Sequence, residues 1–159
     1  MKSETLAKAE WALEVLLHAS VNEREELRNR LEDPNDATID KAALLNMVME
    51  QLKGDFEEQK MLAVPKGSEK RATYYWLLTI LGRLVKNDFA SIKILTKVVT
   101  SFNNDDNCDH KARYWALESL IRLEAEDLHT IARQILSNEM PFLKLPQEIP
   151  VTGGAQGKP

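Results

Sequence analysis

The chain has 159 residues, of which 43% are hydrophobic and 29% are charged, and its net charge is −4 at neutral pH. This length suits a single domain that buries its own core. The lone cysteine, Cys108, excludes an internal disulfide, and no apolar run reaches the roughly 18 residues of a membrane span. No charged-then-apolar leader opens the sequence, so we expect a cytoplasmic protein.

Hydrophobic residues recur at helical spacing along most of the chain, and local start and stop signals divide it into about seven predicted helices. The first covers residues 3–18. Ser20 and Glu23 form a capping box that begins the second helix. That helix ends at Asp33-Pro34, because the residue before a proline is pushed out of helical geometry.

The third helix is predicted to span residues 39–63 without interruption. One apolar stripe continues from Leu45 to Phe56 across Gly54, and a single glycine weakens a helix only slightly. The alternative is a break at Gly54, because Asp55-x-x-Glu58 resembles a new helix start.

The second half of the chain predicts four more helices. Val64-Pro65-Lys66-Gly67 ends the third helix, and Ser68 caps the fourth. The predicted ranges are 69–86, 87 or 88 to 102, 110–123 and 126–138. We therefore expect one helical domain over residues 1–138, followed by a Pro/Gly-rich tail over residues 139–159 with no fixed fold of its own.

Three tryptophans mark the same place in three copies of one unit. Trp76 and Trp115 lie 39 residues apart (115 − 76), and Trp11 opens an earlier copy. Leucines follow each tryptophan at +2 and +5, namely Leu13, Leu16, Leu78, Leu81, Leu117 and Leu120. A period near 40 residues is typical of stacked helix pairs. We expect the tryptophans to be buried anchors of these pairs; stacking on nucleic-acid bases is the alternative.

Charged residues also recur with the unit. A nitrogen base stands at +7 and an acid at +12, namely His18, Arg83 and Arg122, and Glu23, Asp88 and Asp127. Helix dipoles stabilise a base near one helix end and an acid at the next helix start. We therefore predict a structural ladder in which Arg83 pairs with Asp88 and Arg122 with Asp127. The alternative is a charged row that faces a ligand.

The third copy resembles a known family. Arg113-Tyr-Trp115-Ala-Leu117-Glu-Ser-Leu120-Ile-Arg122-Leu123 looks like the second helix of a HEAT repeat of the bacterial HEAT-like kind. The segment from Trp76 to Leu84, with its Leu-Gly-Arg-Leu ending, is similar. The likeness covers residues 70–138 well and residues 5–31 loosely. It departs at Tyr74, where the family places an arginine, and in the long third helix.

The resemblance implies an all-α fold, a short α-solenoid of about seven helices in antiparallel pairs. Bacterial HEAT-like modules of this kind are similar to scaffolds and to the sensor ends of larger signalling or defence ATPases. DNA-alkylation-repair glycosylases and the chromophore lyases of light-harvesting complexes carry related helices, but no catalytic motif of either class maps onto this chain.

The candidate metal-binding and catalytic motifs in the sequence are weak. Asp105-Asn-Asn107-Cys-Asp109 opens like a calcium loop, but His110 and Ala116 stand where such a loop needs glycine and glutamate. We expect a turn and an N-cap there instead. Cys108 beside His110 lacks a third orienting group, and the three histidines are scattered. We therefore expect no enzyme activity, no metal and no cofactor.

A basic patch is the remaining candidate site. Lys86, Lys93, Lys97 and Arg133 are predicted to lie together on neighbouring helices. The repeat pattern predicts a protein-binding or scaffold module that binds a protein partner or itself. The alternative is a nucleic-acid-binding domain of DNA-alkylation-repair type, since residues 70–138 carry 10 basic and 8 acidic groups. That excess of +2 is small for a nucleic-acid binder.

Overall fold

The computed structural model describes residues 3–101 and 109–124, and over these residues the chain is helical without a strand. The helices are α1 (Glu4–His18), α2 (Val21–Glu32), α3 (Lys41–Lys53), α4 (Glu58–Leu62), α5 (Glu69–Leu81), α6 (Phe89–Ser101) and α7 (His110–Arg122). Within these ranges no helix is both long and apolar enough to cross a bilayer. The all-α prediction is confirmed, while the predicted helix at 126–138 and the tail at 139–159 lie outside the described residues.

Side-chain caps begin α2, α5 and α7 at the predicted positions, whereas α3 begins at an Asp40 cap that was not predicted. The Ser20 hydroxyl accepts the Glu23 N–H at 3.3 Å, and the Glu23 carboxylate accepts the Ser20 N–H at 3.2 Å, which completes the capping box. The Ser68 hydroxyl caps α5 by accepting the Arg71 N–H at 3.2 Å, and Asp109 caps α7 by accepting the Ala112 N–H at 3.0 Å. Each of these bonds satisfies an amide that the helix itself leaves without a partner.

The prediction of one long third helix is wrong, because the chain leaves helical geometry at Gly54. Its φ and ψ are −112° and −106°, and α3 ends one residue earlier. The Phe56 N–H then reaches back to the Gln51 carbonyl at 2.8 Å, and the Phe56 side chain turns into the core. The new helix α4 is capped by Glu57, not by Asp55 as the alternative start implied.

The core forms where α1, α3 and α5 pack on one another. Helix α2 packs against α1, helix α7 packs against α5, and α6 packs against α7. In all three copies of the repeat the leucine at +5 is fully buried, namely Leu16, Leu81 and Leu120. The repeat pattern therefore identifies the buried stripe of α1, α5 and α7.

The prediction of a buried tryptophan in each copy is wrong for Trp11, which is 42% exposed. Trp76 and Trp115 are only partly buried, although they pack against the core. The reason is helical phase. At about 100° per residue, the leucines at +2 and +5 lie about 200° and 140° from the tryptophan, on the opposite side of the helix. Each indole thus depends on another element to cover it.

Helices α5 and α7 run in the same direction and approach closely near their carboxyl ends. The Tyr75 hydroxyl donates to the Asp109 carboxylate at 2.8 Å, and further along both helices the Ser119 hydroxyl donates to the Leu78 carbonyl at 2.6 Å. A Cβ added to Gly82 would lie 2.7 Å from the Ser119 Cα. Glycine is needed at this crossing because the two backbones leave no room for a side chain.

A buried ion pair joins the amino-terminal ends of the same two helices. Arg71 and Asp109 form it with side chains that are both 3% exposed. The Arg71 guanidinium also donates to the carbonyls of Met61, at 2.6 Å, and Val64 at the end of α4. Arg71 therefore ties α4, α5 and α7 together, and the periodicity of the sequence did not reveal it.

Candidate functional site

The predicted basic patch is spread over several surroundings. Lys86 lies in the turn before α6 and pairs with Glu124 at 2.7 Å. Lys93 and Lys97 lie one turn apart on α6, and both are exposed. Lys86 lines a groove beside α2, whereas Lys97 lines a separate cavity beside α3 and α4. Arg133 is outside the described residues.

The arginines of the predicted ladder contact other carboxylates. Arg83 pairs with Glu32 at 2.8 Å and with Glu118 at 3.0 Å. Asp88 instead accepts the Ser91 N–H at 2.9 Å and begins α6. Arg122 pairs with Glu118 one turn earlier on α7, and Asp127 lies outside the described residues. The network consists of Glu32, Arg83, Glu118 and Arg122, and it crosses between helices α2, α5 and α7.

Glu32, Arg83 and Arg122 of this network line a groove of about 470 Å³ where the carboxyl ends of α2, α5 and α7 meet. The Arg83 side chain is only 4% exposed, and its third contact is the Thr79 carbonyl at 2.7 Å. Cations at helix carboxyl ends offset the partial negative charge of the exposed carbonyls. Since Arg83 is engaged by two carboxylates and a carbonyl, it holds the three helices together and offers little to a ligand.

The network changes the acidity of its carboxylates. The hydrogen bond from Arg83 lowers the pKa of Glu32 below its ordinary value. Partial burial acts to raise the pKa of Glu118, but hydrogen bonds from Arg83 and Arg122 outweigh the burial and the pKa is lowered. Both groups therefore hold their charge more strongly in the folded chain than in the unfolded one.

Acid should consequently destabilise the wild-type protein more steeply than an Arg83→Met variant. The lowered pKa values give stability that is present above the ordinary glutamate value of 4.5 and is lost as the pH falls through the folded-state pKa. Removing Arg83 removes most of that shift. The measurement is the thermal midpoint between about pH 7 and pH 3, with Lys93→Met as a matched control that keeps the wild-type slope. Equal slopes in wild type and Arg83→Met would contradict the network's role.

A second candidate surface is centred on Trp11. Its ring lies 4.7 Å from the Lys8 Nζ and 5.5 Å from the guanidinium carbon of Arg30. Arg30 is itself held by Asp36 at 3.2 Å and by Thr38 at 2.7 Å. Two cations near an aromatic ring are attracted by its negative face and restrict its rotation. We call Lys8, Trp11 and Arg30 the Trp11 surface.

Helix α2 carries the matching contact on its other side. Arg28 lies 5.2 Å from the Trp76 ring of α5. Residues two apart on a helix point to opposite sides, so Arg28 reaches α5 while Arg30 reaches α1. The Trp11 surface was not predicted, because the repeat pattern predicts that Trp11 lies in the core. The available signal was Lys8, three residues before Trp11 and therefore on the same helix face.

Elsewhere within the described residues, the exposed large apolar side chains are Val21, Phe89 and Tyr114. Phe89 is 77% exposed at the start of α6. Tyr114 packs edge-on against Trp115, with ring centroids 5.0 Å apart. Single exposed apolar residues are common on protein surfaces, and none of the three has the pair of ring-face cations that surrounds Trp11.

Metal and thiol chemistry was expected to be absent. Within residues 3–101 and 109–124, no three His, Cys, Asp or Glu side chains come together in a group that could hold a metal ion. The rest of the calcium-like segment, residues 105–108 with Cys108, lies outside these ranges, and Asp109 caps α7 and pairs with Arg71. No protein-family model, curated protein or solved structure matches the chain.

Proposed function

We propose that this chain is a non-enzymatic protein-binding or scaffold module and that the Trp11 surface contacts the partner. The observation that carries the proposal is an indole that is 42% exposed and is contacted by the cationic side chains of Lys8 and Arg30. Tryptophan and arginine are the residue types most enriched at the energetic centres of protein interfaces. A large exposed ring that is already held in place loses little conformational freedom when a partner covers it.

The repeat supports the same proposal. Helices α5 and α7 run parallel, and α6, which packs on α7, lies between them in the chain. A HEAT-like stack of antiparallel pairs also places alternate helices in parallel, and such stacks present extended binding surfaces. We propose this architecture, with a cytoplasmic location, for the domain. A second copy of the chain is one partner that an open-ended stack can bind.

Nucleic acid is the second candidate, because a tryptophan flanked by cations is also a base-stacking platform. The local charge disfavours it. Helices α1 and α2, which carry the Trp11 surface, contain seven acidic and four basic side chains with His18 neutral. A net charge of −3 repels the phosphate backbone of a nucleic acid. It does not repel a protein partner whose surface is neutral or basic.

Replacing Trp11 with alanine should weaken partner binding by about thirtyfold, since an interface centre contributes about 2 kcal/mol or more. The test captures host proteins with the tagged wild type and variant, and it then measures the affinity of the purified partner by calorimetry. Concentration-dependent sedimentation of each protein tests self-association in the same way. A circular dichroism spectrum establishes that the variant is folded.

Phe89→Ala is the matched control, because it removes an exposed aromatic ring from a different helix. We expect it to bind like the wild type. Loss of binding in Phe89→Ala but not in Trp11→Ala would move the interface to α6 and overturn the proposal. Binding of a single-stranded oligonucleotide at low salt, lost in Trp11→Ala and weakened by added salt, would favour the nucleic-acid alternative.

A further inference from the structure

A small cavity lies where α3, α4, α5 and α6 meet. Its volume is about 180 Å³. Its apolar walls are Leu52, Phe56, Ile94 and Val98. At about 30 Å³ per water molecule the space equals roughly six waters, which is the size of a ligand with about six to eight heavy atoms.

One wall of this cavity carries a buried charge. Glu58 is 8% exposed, and its carboxylate pairs with the Lys97 Nζ at 3.4 Å. The two side chains differ in burial, because the Lys97 side chain is 64% exposed. A carboxylate withdrawn from water needs a counterion, and here that counterion is a long side chain with its head in solvent.

Besides Glu58, the charged residues that line the cavity are Lys53, Glu57 and Lys97. Glu57 is engaged as the cap of α4 and accepts the Gln59 N–H at 3.1 Å. Lys53 is exposed. Exposed lysines keep their ammonium groups in water. A ligand that enters the apolar space therefore meets two buried polar side chains, Glu58 and Tyr74, of which only Glu58 carries a charge.

We propose that this cavity binds a small primary ammonium compound with an apolar body, whose ammonium group replaces that of Lys97 beside Glu58. The ligand's ammonium group takes over the contact with the buried Glu58 carboxylate, and the ammonium group of the exposed Lys97 side chain returns fully to water. The ligand adds hydrophobic stabilisation that the lysine does not provide, because its carbon chain fills the apolar space between the helices and releases the water there. This site is separate from the Trp11 surface and is independent of the proposed function.

Hexylammonium, with seven heavy atoms, is the probe. Titration into the wild-type protein at neutral pH, followed by methyl NMR, should shift the signals of Leu52, Ile94 and Val98. Glu58→Gln keeps the side-chain shape but removes the charge, and it should weaken binding about tenfold. Lys97→Gln removes the internal competitor, so it should strengthen binding by roughly threefold. The Lys97 substitution is at an exposed position and leaves the core intact.

Lys93→Gln is the matched control, one turn earlier on α6 and away from the cavity, and it should bind like the wild type. Hexanoate at the same concentrations tests the opposite charge. Preference for hexanoate, or weaker binding of hexylammonium by Lys97→Gln, would mean that the lysines form the site and would overturn the proposal. Unchanged affinity in a folded Glu58→Gln variant, or no methyl shifts at all, would overturn it as well.

Discussion

Replacing Asp109 with asparagine should lower the free energy of unfolding by about 3 kcal/mol or more. Asparagine fills the same space and remains a good N-cap for α7. What it removes is the charge that compensates Arg71, which is 3% exposed at its side chain and has no route to solvent. The Tyr75 hydroxyl loses its charged acceptor in the same step. Urea unfolding measures the difference.

Asp40→Asn is the matched control for this result. Asp40 caps α3 by accepting the Ala43 N–H at 3.0 Å, as Asp109 caps α7. Since no arginine is buried against it, its substitution should change the free energy of unfolding by less than about 1 kcal/mol. Adding Arg71→Met to Asp109→Asn should recover part of the loss, because an unpaired buried charge is worse than none. Equal losses in the two asparagine variants would show that capping alone matters.

Burial near the Arg71–Asp109 pair should also raise the pH at which Tyr74 and Tyr75 ionise. Desolvation by burial, followed by the hydrogen bond to Asp109, raises the pKa of Tyr75 above its ordinary value. Burial likewise raises the pKa of Tyr74, with the nearby charges of Glu58 and Asp109 adding to it. Both groups therefore stay protonated in the folded protein well into alkaline conditions, and the Tyr75 hydroxyl remains a donor to Asp109.

Replacing Gly82 with alanine should also destabilise the protein, by about 1–3 kcal/mol. The backbone at Gly82, with φ −70°, suits alanine. On conformational grounds alone the change would stabilise the fold by about 0.4–1 kcal/mol. The sign is reversed because the new methyl group would lie 2.7 Å from the Ser119 Cα, and a backbone atom cannot swing aside as a flexible side chain does.

Gly67→Ala is the control for Gly82→Ala. Apart from Gly67 itself and its two chain neighbours, no heavy atom lies within 4 Å of a Cβ built at Gly67. Its substitution should be neutral or slightly stabilising in thermal unfolding. A Gly82→Ala variant as stable as Gly67→Ala would show that α5 and α7 are further apart than the structure places them. A shifted crossing of α7 would change the Ser119 contact with Leu78 as well.

Prediction from the sequence succeeded where the determinants are local. Ser20, Ser68 and Asp109 were placed at helix starts because a cap bonds to an amide only a few residues away. The buried leucines at +5 followed from periodicity in the same way. At Gly54 two local signals disagreed. The apolar stripe favoured one continuous helix, whereas the glycine and the possible helix start at Asp55 favoured a break. The burial of Phe56 in the core accompanies the break.

The tryptophans show where the reasoning from the sequence failed. Their recurrence with the leucines suggests a shared face, yet a spacing of two or five residues places them on opposite sides of a helix. Phase alone could have excluded a common stripe. It could not have distinguished the partly buried Trp76, which Arg28 covers, from the exposed Trp11. That difference depends on which neighbouring elements reach each side of α1 and α5.

The amino-acid sequence by itself determined most of the helices, the caps of α2, α5 and α7 and the buried leucines at +5, because these depend on contacts within one or two turns. Only the tertiary structure decided the partners of the charged side chains. Arg83 meets Glu32 across 51 positions of chain, and Arg71 meets Asp109 across 38. Nothing in the local pattern selects one carboxylate over another. The packing of the helices brings those groups within bonding distance, and it also leaves Trp11 exposed and Glu58 buried beside Lys97.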